Sequence, residues 1–144
     1  MPARSSFDYA IVRVVPRVER GEFLNVGAIV YARARRFLAA RIALDSVRLA
    51  ALAPWLDPHD VQRHLDLLPR ICAGDPSAGP IALLPLADRY HWLVAPRSAM
   101  IQTSPAHVGM CNDLPAALDD LMRRFVLPLP PTTTDDRQPP SDQS

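Results

Sequence analysis

The stretch Arg20-Gly21-Glu22-Phe23-Leu24-Asn25-Val26-Gly27 places a carboxylate, an amide and two glycines at the entrance to an apolar run. A plain hairpin needs neither Glu22 nor Asn25 inside its rising strand. A carboxylate can take up a proton or pair with a cation, and an amide offers both a donor and an acceptor. Arg13 lies on the preceding apolar run and would reach Glu22 if the two runs pair antiparallel. Gly21 permits the backbone angles that aim the polar groups, and Gly27 removes a side chain so that something can approach closely. Two readings follow. One is a buried Arg13–Glu22 pair with Asn25 bonding backbone at a bulge. The other is a binding notch whose donors and acceptors face a ligand or partner.

A second polar stretch runs from His91 to Gly109 and gathers Arg97, Gln102, Thr103, Ser104 and His107. Arg97 is a fork-shaped donor suited to carboxylate or phosphate. Ser104 and His107 are three apart, so a hydroxyl–imidazole pair is conceivable. However, no nucleophile-elbow pattern surrounds Ser104, and Pro105 stiffens its neighbourhood. Anion or partner binding by Arg97 with His107 is the functional reading. Its alternative is a polar loop whose hydroxyls and imidazole satisfy backbone groups. His59 and His64 are five apart, unlike a helical metal-binding pair, so no metal site is expected. No P-loop, dinucleotide fingerprint or paired-carboxylate pattern occurs, and no cofactor or catalytic residue is assigned.

The chain has 144 residues, a hydrophobic fraction of 49% and a formal net charge of +1. That fits one domain with a real core and offers no strong field for nucleic acid or an anionic membrane. Arg33, Arg35 and Arg36 would suit phosphate, but they lack aromatic neighbours arranged for base stacking. All 16 basic residues are arginine, which removes lysine Schiff-base chemistry. Cys72 and Cys111 form no CxxC pair and read as reduced thiols. No signal peptide and no apolar run of membrane length is apparent, so a cytoplasmic location is expected.

The elements that must position these groups follow from periodicity. Phe7 to Val15 reads as a strand closed by Pro16, Phe23 to Arg33 as a second, and Phe37 to Leu44 as a third, making an antiparallel meander. Asp45 or Ser46 caps a helix from Val47 to Ala53, and Asp57 caps a helix that Pro69 bends or ends. His91 to Ala95 and Ala99 to Thr103 read as a C-terminal hairpin, followed by a loop from Ser104 to Cys111. Asp113 caps a last helix, Leu114 to Val126. The predicted fold is an α+β domain over residues 7–127, an antiparallel sheet with about three helices on one face. Residues 1–6 are expected to be flexible, and the Pro/Thr/Asp/Ser-rich tail 128–144 disordered.

With these motifs in view, the chain resembles a family of small bacterial proteins classed as a domain of unknown function. The resemblance rests on Arg13-Val14-Val15-Pro16 and on Gly21-Glu22-Phe23-Leu24-Asn25-Val26-Gly27, and spans Phe7 to about Val126. It implies an accessory or partner domain for a kinase resembling the persister-type toxin kinases. Taken with polar motifs that lack catalytic spacing, this favours a non-enzymatic interaction module binding a protein partner. The alternative is a small-anion domain or enzyme, for a nucleotide or phosphometabolite, using Arg97, His107 and Glu22. An exposed edge strand leaves a homo-oligomer open.

Overall fold

The structure, a computed structural model, describes residues 4–96 and 99–129. Five strands form one antiparallel sheet: β1 (Ser5–Val14), β2 (Leu24–Ala32), β3 (Phe37–Ile42), β4 (Ile101–Thr103) and β5 (His107–Cys111). The spatial order is β3-β2-β1, and then β4 and β5 lie end to end along the far side of β1. Four α-helices complete the α+β fold: α1 (Ser46–Leu52), α2 (Pro58–Cys72), α3 (Leu86–Val94) and α4 (Leu114–Leu121).

Both faces of the sheet are covered. Val12, Val14, Val26, Ile29 and Tyr31 pack against Leu49 of α1, Val61 and Leu65 of α2, and Tyr90 and Leu93 of α3. On the other face, Phe7, Ile11, Ala28 and Val30 pack against Leu114, Leu118 and Leu121 of α4. Three helices do share one face, but the helix expected from Leu114 is α4 on the opposite face, and α3 takes its place in the three-helix layer. This explains why β2 reads as a nearly continuous apolar run: a strand covered on both sides has no solvent face to keep polar.

The register between β1 and β2 shifts at one place. Val12 faces Gly27 and Arg13 faces Asn25, so Val26 is an extra residue in β2. The bulge reverses the alternation of side chains, so Val26 joins Ile29 and Tyr31 on the three-helix face rather than siding with Ala28 and Val30. Beside it, a Cβ on Gly27 would run into the Arg41 carbonyl and the Ile42 side chain of β3. The close approach foreseen for Gly27 is thus made by the neighbouring strand.

The expected caps are present. Asp45 accepts from the amides of Val47 and Arg48 at 3.0 and 3.1 Å. Asp57 accepts from His59 at 2.9 Å and Asp113 from Ala116 at 3.0 Å. Four expectations are corrected. Pro69 does not end α2, which continues to Cys72. Ile71 and Cys72 are buried there, and Arg89 of α3 donates to both of their carbonyls, at 3.1 and 2.8 Å. A tertiary cap thereby holds the turn beyond the proline. His91 to Ala95 is not a strand but the end of α3, because Leu86, Tyr90 and Leu93 recur at helical spacing toward the core. The hairpin expected there is replaced by β4 and β5, each pairing with β1. The segment read as a loop from Ser104 to Cys111 contains β5, whose Gly109 leaves room for the Phe7 ring. The first strand begins at Ser5, inside the segment expected to be flexible. Beyond Leu129, the tail expected to be disordered lies outside the described residues.

Two predictions test this packing. Gly27→Ala should destabilise by about 2–3 kcal/mol, because the obstacle is backbone and cannot rotate away; urea melts with an unchanged midpoint would refute the close contact. Burial pushes the Tyr90 phenol up to about 12, with the negative charge of Asp8 and then Tyr31 adding to it. The folded state holds that proton while the unfolded chain releases it, so this stability is complete below about pH 10 and is lost as pH rises towards 12. The melting temperature of the wild type should therefore fall more steeply above about pH 10 than that of Tyr90→Phe. Parallel pH profiles would contradict the assignment.

Candidate functional site

The polar motif between β1 and β2 sits at the end of the sheet where Val14 faces Leu24. Arg13 and Asn25 are direct cross-strand partners, so the structure brings these two predicted residues together. It separates them from Glu22. The Arg20 guanidinium takes both Glu22 oxygens, at 2.8 and 3.2 Å, and the pair is solvent-exposed. That hydrogen bond and charge hold the Glu22 carboxyl below its ordinary range, which makes it a weaker base. The expected Arg13–Glu22 bridge does not form. Arg13 instead lays its guanidinium over the Phe23 ring, 4.0 Å from the centroid.

Asn25 has a defined task. Its amide nitrogen donates to the Phe125 carbonyl at 3.1 Å. From α1, Arg48 donates to the next carbonyl, Val126, at 3.2 Å. Both acceptors belong to the π-turn Met122–Val126 that ends α4. Terminal helical carbonyls have no partner within the helix and carry partial negative charge, so a neutral donor and a cation both suit them. Asn25 therefore bonds backbone at a bulge, as one of the two readings expected. Two polar atoms at this place are buried with no hydrogen-bond partner: Asn25 Oδ1 and Arg13 Nε.

The second predicted cluster does not assemble around a nucleophile. Ser104 is buried, and its hydroxyl accepts from the Ile11 amide at 2.9 Å and donates to the Pro105 carbonyl at 2.9 Å. The Ser104 amide also bonds the Ile11 carbonyl at 2.8 Å. Ile11 faces the gap between β4 and β5, and Ser104 fills it, its hydroxyl standing in for a missing ladder carbonyl as acceptor of the Ile11 N–H. His107 lies further along, its ring 5.4 Å from that of Tyr9. Glu22 lies beyond the Val14 end of the sheet and His107 faces Tyr9, so the two are well over one strand repeat apart along β1. Arg97 lies outside the described residues. Among the described residues, no three His, Cys, Asp or Glu side chains converge as metal ligands.

What sequence reasoning missed is a set of exposed aromatic rings at this end of the sheet. Phe23 is 46% exposed, Phe125 38% and Trp55, in the connection between α1 and α2, 56%. Each ring carries an arginine: Arg13 on Phe23, Arg17 on Trp55 at 5.1 Å and Arg124 on Phe125 at 5.0 Å. All three arise at the same end of the sheet, where β1 leaves, β2 enters, α1 follows β3 and α4 terminates. The available signal was Phe23 itself, an aromatic ring set between charged residues and a turn.

The family model for a protein of unknown function, DUF3037, matches residues 9–126. This chain belongs to the DUF3037 family. The matched span takes in all four helices, the bulge and most of the strand residues of this DUF3037 domain. No curated protein and no solved structure gives a significant match. No helix among its described residues is long and apolar enough to cross a membrane.

Asn25→Ala should cost about 1 kcal/mol, the net worth of one intramolecular hydrogen bond. Asn25→Asp should cost at least as much, because a carboxylate would face the negative end of a helix. Chemical denaturation of both variants measures this; an Asp variant as stable as wild type would show that the Phe125 contact contributes nothing.

Proposed function

We propose that this DUF3037 chain is a non-enzymatic interaction module that docks a protein partner on the end of the sheet around Asn25. The observation that carries this reading is the set of exposed rings at Phe23, Trp55 and Phe125, each covered by an arginine. Aromatic residues and arginine are enriched where protein interfaces concentrate their binding energy, since they combine large apolar area with directed polar contacts. The arginines hold the rings in place before binding, which lowers the ordering cost of association. The chemistry near them also favours binding over turnover: Glu22 is committed to Arg20, and Ser104 to backbone.

The partner class we infer is a kinase-like enzyme, as the family resemblance implies. The small-anion alternative called for Glu22, His107 and Arg97 in one pocket, and the separation of Glu22 from His107 gives it no support. The test is affinity capture with the wild-type chain and with Phe23→Ala/Trp55→Ala. A reproducible protein partner should be retained by the wild type and lost by at least tenfold in the double variant, as expected for central aromatic contacts. No partner, or one retained equally by the variant, would overturn the reading.

A further inference from the structure

At the opposite end of the sheet, a cavity of about 670 Å³ opens between β1, the end of β2, the turn after it and α3. It has the volume of an ordinary small-molecule site. Tyr31, Ala34 and Ala87 give it apolar walls, and Ser6, Asp8, Arg33 and His91 supply polar groups. Asp8 is fixed by pairing with Tyr31 across the β1–β2 ladder. Arg33 follows Tyr31 by two residues, so the two charges enter the cavity from positions about 7 Å apart along the strand direction. His91 reaches the cavity from the helix, its ring 5.9 Å from that of Tyr90.

The charges are uncommitted. Among the described residues, neither Asp8 nor Arg33 forms a side-chain hydrogen bond or ion pair, although both line the same space. A second open group stands close by. The Tyr90 hydroxyl is buried without a hydrogen-bond partner, its ring stacks on Tyr31 at 4.7 Å, and it lies within electrostatic reach of Asp8. Charge complementarity selects the occupant. An anion alone would leave Asp8 unpaired and repelled, a cation alone would do the same to Arg33, and a neutral molecule would satisfy neither. A ligand carrying both charges satisfies each.

We propose that this cavity binds a small amphoteric metabolite of the amino-acid class, its ammonium on Asp8 and its carboxylate on Arg33, with His91 and Ser6 as further hydrogen-bonding groups. The volume exceeds what the ammonium and carboxylate alone require, so the ligand carries a sizeable side chain, which rests against Tyr31 and Ala87. This site is separate from the docking surface around Asn25 and does not depend on it.

The experiment uses the full chain and each standard L-amino acid as probe, by thermal shift and by amide chemical-shift mapping. At least one amino acid should raise the melting temperature and perturb the amides of Asp8, Tyr31 and Arg33. Blocking that compound's amine by acetylation, or its carboxylate as the amide, should each weaken binding by at least tenfold. Asp8→Asn and Arg33→Gln should each do the same, while Arg63→Gln on the exposed face of α2 should bind as wild type. Arg33 is on an exposed turn, so its variant remains informative if Asp8→Asn folds poorly. The proposal is overturned if no amino acid binds, or if neither blocking group matters. It is also overturned if inorganic phosphate or a nucleoside monophosphate binds through Arg33 with no dependence on Asp8, which would make this a plain anion site.

Discussion

The extra residue in β2 at Val26 is the constraint from which the rest of this domain follows. Without it, β2 would keep one alternation from end to end, and Asn25 and Val26 would exchange faces. With it, Val26 goes into the three-helix core while Asn25 turns towards α4. The bulge therefore lets one strand serve two cores and still deliver a polar side chain to the end of a helix. Gly27 is part of the same device, because the strand bends where β3 comes closest.

Around that point the structure divides its labour. The Asn25 and Arg48 side chains secure the last turn of α4, whose carbonyls would otherwise face the sheet unpaired. Arg89 does the equivalent for the end of α2, and Ser104 for the break between β4 and β5. In each case a side chain supplies the hydrogen bond that regular structure cannot. These polar contacts carry specificity rather than bulk stability, which comes from the two apolar layers. They also explain why Asn25 and Ser104, polar residues that the sequence singles out, are occupied with backbone.

The sequence made the meander and three helix caps legible, because strand alternation, Asp at an N-cap and proline at the first helical position act locally. It misjudged α3, since His91 to Ala95 carries β-rich residues and only the burial of Tyr90 and Leu93 against the sheet decides for a helix. It missed β5 for a related reason: His107 to Cys111 has little strand character, and its order comes from the free edge of β1. Pro69 looked like a stop signal because Arg89, 20 positions later, cannot be seen as its cap. At the candidate site, the spacing of Glu22 and Asn25 marked the segment that holds the end of α4 but gave the wrong partner for Glu22, whose nearest cation was two residues away in its own loop. The cavity at Asp8 and Arg33 was invisible, because its groups come from three separated segments with no shared motif.

Amide hydrogen exchange in wild type and Asn25→Ala tests the central role of the bulge asparagine most directly. If Asn25 ties α4 to the sheet, the amides of Met122–Leu127 should lose protection in the variant far more than those of α2, whose ends are held by Asp57 and Arg89. Uniform loss across both helices would reduce Asn25 to a general contributor to stability. Unchanged exchange at the end of α4 would contradict the account.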